Sequence, residues 1–257
     1  MRTADTAIEA VARRDRAGVL VSLIGLTLLA WLYLVWDAAH MMDMAGMPMT
    51  ASWTFGHFVM MFLMWAIMMV GMMIPSASPM ILLYAQLARK HAEHGHLLPR
   101  IWIFTGGYLA VWTGFSLLAT VMQMLLEQAA LMSPMMIANN TTLSGLLLIV
   151  AGIYQWLPWK EACLKRCRAP LQFFIMNWRS GRLGAFHMGF EHGAFCVGCC
   201  WGLMLLLFVG GVMNLLWIAV IAGFVLLEKV LPAGALTGRI AGIGLVTVGF
   251  WQLIAPL

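Results

Sequence analysis

The chain has 257 residues, of which 63% are hydrophobic and only 10% charged, whereas a soluble domain carries about 25% charged residues. Long apolar runs recur along the whole length, which excludes an ordinary soluble protein and predicts an all-α integral membrane protein. The net charge of +5 is not accompanied by a basic and aromatic cluster, so it does not indicate a nucleic-acid partner.

Apolar runs of about 20 residues predict a polytopic bundle of about seven transmembrane helices. The first run is longer than the core of a signal peptide, so we interpret it as a retained helix. Gly210 and Gly211 predict the tight turn between the fifth and sixth spans. We therefore expect a short segment 1–17 followed by one transmembrane domain, 18–257. The predicted spans are 18–36, 57–75, 101–126, 143–158, 190–209, 212–230 and 237–256.

The basic residues predict the orientation of these spans. All 15 Lys and Arg residues lie before the first span, in alternate connections after it or, for Lys229 and Arg239, at the end of a span beside such a connection, and the other connections carry none. Positively charged connections stay in the cytosol. This pattern predicts a cytosolic N-terminus and a C-terminus outside.

The first outer connection contains the stretch HMMDMAGMPM, in which every second residue on average is methionine. Methionine exposed to water has no packing role and is open to oxidation. Thioethers select Cu(I), and imidazole also suits copper. We predict a copper-capture loop formed by His40, Met41, Met42, Met44, Met47 and Met49.

The second span carries a methionine stripe. At helical spacing its members fall within an arc of about 80° and extend over about 16 Å. Methionine also fills irregular gaps in ordinary cores, but the adjoining outer loop favours a copper pathway. Pro75 and Pro79 are expected to end this helix. The stripe comprises Met61, Met64, Met68 and Met72, with His57 at its outer end.

All five cysteines lie in the second half, near the predicted cytosolic side, where disulfides are not expected. Cys163 and Cys167 are four residues apart among basic residues, which favour the thiolate. On a helix, one arc of about 100° holds an imidazole and three thiols, whereas His187 and Glu191 lie on another face. Such a face suits Cu(I), with structural zinc the less favoured metal, or it holds buried free cysteines. Its residues are His192, Cys196, Cys199 and Cys200.

Other polar residues near the spans have two interpretations. Glu191, His192 and Asn214 are candidates for function because polar groups at membrane depth are costly. Glu228 and Lys229 form either such a group or an ordinary interfacial pair. The stretch HAEHGH, residues 91–96, is either a weak metal site or a solvated loop.

Four stretches resemble the bacterial family of predicted metal-binding integral membrane proteins, a domain of unknown function. They are PWKEACLKRCRAP, GFEHGAFCVGCCWGLM, FVGGVMNLLWIA with the later LLEK, and MMVGMMIPS, and the similarity covers residues 53–250. The Cys-x-Gly-Cys-Cys-Trp piece is the specific one. The resemblance implies a multi-pass protein of the bacterial cytoplasmic membrane, without a known substrate. It implies metal binding by Met72, Met73, Cys163, Cys167, His192, Cys196, Cys199 and Cys200.

These patterns favour a copper-handling membrane protein that is not an enzyme. The outer loop would capture Cu(I), the stripe would pass it inward and the Cys/His face would receive it for transport or for transfer to a soluble or membrane metal-handling protein. The alternatives are a copper-containing subunit of a membrane redox enzyme and an assembly or accessory subunit. The chain has no P-loop for ATP and no paired axial histidines for haem.

Overall fold

The computed structural model describes residues 2–44, 53–90, 97–131, 140–232 and 234–254, and the described residues form helices and no strands. The all-α prediction is therefore confirmed over these ranges. The helices are α1 (Arg2–Met44), α2 (Phe55–Lys90), α3 (Leu97–Gln128), α4 (Thr141–Tyr154), α5 (Pro158–Arg168), α6 (Pro170–Asn177), α7 (Gly181–Met204), α8 (Leu206–Gly210), α9 (Leu215–Val230) and α10 (Gly234–Ile254).

Within the described ranges, five helical segments are long and apolar enough to cross a membrane. The pair formed by α4 and α5 is bent by 62° and adds a sixth if the two helices make one broken span. Helix α9 has 16 residues, just under the length of about 17–25 typical of a span. The five segments are Arg16–His40, Phe55–Arg89, Leu98–Gln128, Gly181–Gly210 and Gly234–Ile254.

The expectation that Pro75 and Pro79 end the second helix is wrong, because α2 continues through both prolines to Lys90. Proline has no N–H, so each one leaves the carbonyl four residues earlier without its helical partner. The Trp31 indole donates to the freed carbonyl of Gly71 at 3.3 Å. The Ser78 hydroxyl donates to the freed carbonyl of Pro75 at 2.8 Å. Side-chain donors of this kind are how membrane helices tolerate proline.

The turn expected at Gly210 and Gly211 is present. Helix α8 ends at Gly210, and Gly211 has a φ of 94°, a backbone conformation that favours glycine. Asn214 then caps α9, since its side chain accepts from the backbone N–H of Trp217 at 3.2 Å. Asn214 therefore has a structural role at a helix start, which accounts for a polar residue at this depth.

Helices α3 and α7 pack backbone to backbone through the small residues Gly189 and Gly193. A Cβ atom at Gly193 would lie 3.0 Å from the carbonyl oxygen of Tyr108, and one at Gly189 would collide with the carbonyl oxygen of Phe104. Such small-x-x-x-small spacing is how membrane helices approach closely. The approach brings Tyr108 on α3 beside the cysteine face of α7.

The Trp31 donor at the freed carbonyl of Gly71 can be tested with a double-mutant cycle on Pro75 and Trp31. In the native chain, Trp31→Phe removes the donor to Gly71, and we expect the protein to lose about 1 kcal/mol of stability. In a Pro75→Ala background the helix restores its own donor, and the same change should cost much less. Thermal unfolding of the purified protein in nanodiscs measures both.

Trp36→Phe is the matched control, because Trp36 is 55% exposed on the same helix. Equal losses from Trp31→Phe in the two backgrounds would show that the indole only packs against α2.

Candidate functional site

Cys196 lies where side chains from three other helices meet α7. Its sulfur is 2.8 Å from the Lys229 ammonium on α9 and 3.1 Å from the Tyr108 hydroxyl on α3. The Lys229 ammonium also donates to the Ser76 hydroxyl on α2 at 3.0 Å. Tyr108 donates to the carbonyl of Met73 on α2 at 3.3 Å. Lys229 thus connects Cys196 to α9 and, through Ser76, to α2. Tyr108 makes a second connection from Cys196 to α2.

The other two thiols of α7 turn back onto their own helix. The Cys199 and Cys200 thiols donate to the carbonyl of Cys196 at 3.1 and 2.9 Å. All three cysteine side chains are buried. The structure therefore brings the three thiols together on one buried helix face, where two of them donate to the carbonyl of the third.

His192 lies one helical turn before Cys196 on the same face. Its side chain is only 3% exposed, its ring is stacked on Tyr108 at 5.6 Å between centroids, and its Nδ1 has no hydrogen-bond partner among the described residues. A buried polar atom without a partner is uncommon and needs an explanation. Nitrogen and sulfur donors of this kind suit Cu(I), so the donor set fits a copper ion as cargo.

The cysteines of α5 meet those of α7. The Cys167 and Cys199 side chains lie close enough for the two thiols to interact. A Cβ atom at Gly198 would lie 2.8 Å from the Cys163 sulfur, so the glycine of the Cys-x-Gly-Cys-Cys motif makes room for that thiol. Both α5 cysteines are half-buried.

Two further contacts hold α5 and the end of α4 against α7. The Arg166 guanidinium lies over the Phe195 ring at 4.4 Å. At the end of α4, the Tyr154 hydroxyl donates to the carbonyl of Gly198. These contacts place the α5 thiols at the less buried border of the α7 cluster, although the two groups are about 30 residues apart in the chain.

The cysteines and histidine do not form a ready-made cage. Within the part of the chain that the structure describes, no group of three or more His, Cys, Asp or Glu side chains is arranged to hold a metal ion. The thiols of Cys199 and Cys200 would first have to turn away from the Cys196 carbonyl. His187 and Glu191 lie 4.0 Å apart on another face, with half-exposed and partly exposed side chains.

The methionine stripe of α2 is buried along its whole length. Met64, Met68 and Met72 are at most 1% exposed and Met61 is 9% exposed. The Met61 sulfur accepts from the Gln123 side chain at 3.7 Å, and the opposite end of the stripe adjoins the Met73 carbonyl that Tyr108 contacts. Because α2 and α3 are antiparallel, the stripe leads from Gln123 to the surroundings of Cys196.

Burial does not distinguish the methionines of the stripe from ordinary core methionines, since Met69 and Met73, which lie outside the stripe, are also fully buried. His57, at the outer end of the stripe, is half-buried and lies against Trp53 with ring centroids 4.8 Å apart.

The predicted capture loop is only partly described. Helix α1 continues to Met44, so the first part of this segment is helical where we expected a loop. His40 is exposed, and its Nδ1 is 2.8 Å from the carbonyl of Trp36. The side chains of Met41, Met42 and Met44, and all of Met47, Met49 and residues 91–96, lie outside what the structure describes. The capture role of this segment stays a prediction.

The sequence did not indicate the role of Lys229, and the interfacial pair of Glu228 and Lys229 is not formed. Glu228 instead pairs with Lys160 on α5, which also contacts Gln155, and all three are buried. Consecutive helical residues point about 100° apart. This spacing was the available signal that the two charges serve different partners.

Comparison with known proteins adds one finding. A family model described as PpoB2, copper chaperone, matches residues 62–252. The match includes all five cysteines, His192, Lys229 and the described methionine stripe from Met64 onward. No curated protein and no solved structure matches the chain.

The buried pair of Lys160 and Glu228 fixes α9 and α5 around the cysteines, and it can be broken from one side. Glu228→Gln leaves a buried ammonium without its counterion, so we expect a loss of about 3–5 kcal/mol. The double variant Lys160→Met/Glu228→Met removes both charges and should recover most of that stability. Chemical or thermal unfolding in nanodiscs measures the difference.

Glu161→Gln serves as the control, because Glu161 forms exposed ion pairs with Lys165 and Arg239 that should contribute little. A double variant as unstable as Glu228→Gln would contradict this account of the pair.

Proposed function

This chain belongs to the PpoB2 family of copper chaperones, and on that premise we propose that it accepts Cu(I) within the membrane and transfers it to another protein. In this proposal Cu(I) is the cargo and the chain is not an enzyme. The ion enters along the methionine stripe, is received by the thiols and imidazole of α7 and leaves through the cysteines of α5.

The observation that carries this proposal is that the buried methionine stripe and the buried cysteine face are linked through Tyr108. The stripe ends beside Met73, whose carbonyl is joined through Tyr108 to the Cys196 sulfur. Thioethers bind Cu(I) more weakly than thiolates do, and transfer requires sites that load and still release. A sequence of thioethers followed by thiols supports movement from the stripe to the cysteines.

Lys229 would stabilise the cysteine site before the ion binds. Its ammonium lies 2.8 Å from the Cys196 sulfur. A monovalent cation that bound to that sulfur would compete with the ammonium for this position. When Cu(I) binds, the ammonium would keep the Ser76 hydroxyl as a partner at 3.0 Å. Lys229 is therefore proposed as a positioning residue and not as a ligand.

The cysteines of α5 are the proposed exit. Cys167 lies near Cys199, and both Cys163 and Cys167 are half-buried whereas the α7 thiols are fully buried. An ion moving from Cys199 to Cys167 thus becomes more accessible without losing thiol ligands. The acceptor would be a soluble or membrane metal-handling protein that docks at α5.

We further propose that the chain crosses the bacterial cytoplasmic membrane seven times, with the N-terminus in the cytosol and the C-terminus outside. The bent α4 and α5 and the short α9 would supply the sixth and seventh crossings. The distribution of the 15 basic residues supports this orientation. It places Met61 and Gln123 toward the outside and the cysteines toward the cytosol.

The copper site is tested by the triple variant Cys196→Ser/Cys199→Ser/Cys200→Ser. Because hydroxyl groups are poor ligands for Cu(I), we expect the purified variant to retain less than about a tenth of the copper bound by the native chain. Mass-spectrometric metal analysis after anaerobic loading with Cu(I) gives the stoichiometry. Ser22→Ala, a change at an exposed serine of α1, is the control.

Equal copper in the native and triple variants would contradict the site. Copper that binds tightly but is never released to a Cu(I) acceptor chelator would favour the alternative of a copper-containing redox enzyme or accessory subunit.

The methionine stripe is tested by Met64→Leu/Met68→Leu, which keeps the volume of the core and removes two sulfurs. We expect Cu(I) to reach the cysteines at least about tenfold more slowly, with little change in the final copper content. Met60→Leu/Met176→Leu is the matched control, because these methionines are 64% and 74% exposed. Unchanged loading kinetics in the stripe variant would identify the stripe as core packing only.

A further inference from the structure

A network of polar side chains closes the outer end of the methionine stripe. The Gln123 amide group donates to the Glu127 carboxylate at 2.9 Å and to the Met61 sulfur at 3.7 Å. The carbonyl oxygen of Gln123 accepts from the Trp65 indole at 2.7 Å. The second carboxylate oxygen of Glu127 accepts from the Trp53 indole at 3.0 Å. Every polar atom of the Gln123 side chain is therefore engaged.

The members of this network differ in their access to the outside. Gln123 is fully buried and Met61 is 9% exposed, whereas Glu127 and Trp53 are half-buried. The carboxylate is thus the member that an ion from the surroundings meets first. The carboxamide lies between that carboxylate and the first sulfur of the stripe.

The Gln123 amide nitrogen occupies a position whose neighbours would suit a cation. Its N–H groups carry partial positive charge and face one anionic oxygen and one thioether sulfur. An ion that displaced this nitrogen would have the same carboxylate oxygen and thioether sulfur as its neighbours. The oxygen supplies attraction for any cation, and the sulfur favours a soft one.

Resting on the proposed function, we propose that Glu127 and Met61 form an admission site for a soft monovalent cation at the outer end of the stripe, with Gln123 as the positioning residue that occupies the site until the ion arrives. One hard and one soft donor bind such an ion only weakly. Weak binding suits an entrance, because the ion must move on to the next sulfur. Met64 follows on the same helix face, one turn further in.

The network also has a plain structural explanation, in which Gln123 only joins α2 to α3. The two explanations predict different results for Gln123→Met. This change removes both N–H donors and introduces a sulfur in a side chain of similar size. A purely structural network should be damaged by this change, whereas an admission site should bind a soft ion at least as tightly as before.

The test uses the full chain in nanodiscs with all five cysteines changed to serine, so that binding at the thiols does not contribute. Ag(I), which is redox-stable and chemically close to Cu(I), is the probe, and its affinity is measured by competition with a chelator. We expect Glu127→Gln and Met61→Leu each to weaken Ag(I) binding about tenfold or more. Gln123→Met should leave it unchanged or tighter.

Two controls accompany these variants. Glu191→Gln changes a partly exposed carboxylate on α7, and Met60→Leu changes an exposed methionine one residue from Met61. Neither should alter Ag(I) affinity. If the cysteine-free chain does not fold, the number of Ag(I) ions bound is measured in the native chain, where Glu127→Gln and Met61→Leu should each lower it by about one relative to Met60→Leu.

The inference is overturned if Glu127→Gln binds Ag(I) as well as its parent, or if Gln123→Met is as defective as Glu127→Gln. A cysteine-free chain that folds and binds no Ag(I) also overturns it. These failures leave the proposed function standing, provided that the native chain binds Cu(I) through its cysteines. If the native chain binds no copper, that separate result contradicts the proposed function itself.

Discussion

A polar group inside a bundle of apolar helices has no water to bond, so its partner must come from the protein, either from its own helix or from a neighbouring one. The arrangement of this protein follows from that constraint. The carbonyl freed by Pro75 takes the indole of Trp31 from α1, and the buried charge of Lys160 takes Glu228 from α9. Each of these contacts ties two helices that apolar packing alone would leave free to slide, since helices gain no hydrophobic energy by leaving lipid.

Several under-used polar groups lie together on α7. His192 Nδ1 has no partner in the described part of the chain, and the thiols of Cys199 and Cys200 donate only to a carbonyl of their own helix. Trp112 Nε1 and Gln252 Oε1 are also buried without a partner among the described residues, but only on α7 do such groups combine an imidazole with thiols on one helix face. Their nitrogen and sulfur chemistry agrees with membership in a copper chaperone family.

The same constraint relates the two ends of the proposed pathway. At the outer end, the Gln123 amide stands between a carboxylate and a sulfur, and at the inner end the Lys229 ammonium stands beside the Cys196 sulfur. In both places an N–H donor, uncharged at Gln123 and charged at Lys229, occupies the position proposed for a cation. Such an arrangement keeps soft donors in place without metal and offers them to an ion that competes for them.

Hydropathy and helical periodicity alone were sufficient for the helical class, for the turn at Gly211 and for the common face of His192 and Cys196. These features are local, because they depend on the spacing of residues within one helix. The tertiary structure decided the rest. It carried α2 through Pro75 with a donor from α1, assigned Glu228 and Lys229 to different partners and brought Cys167 to Cys199. Each of these depends on which helices become neighbours. The spacing of Gly189 and Gly193 marks a face for close packing, but it does not say which helix packs there.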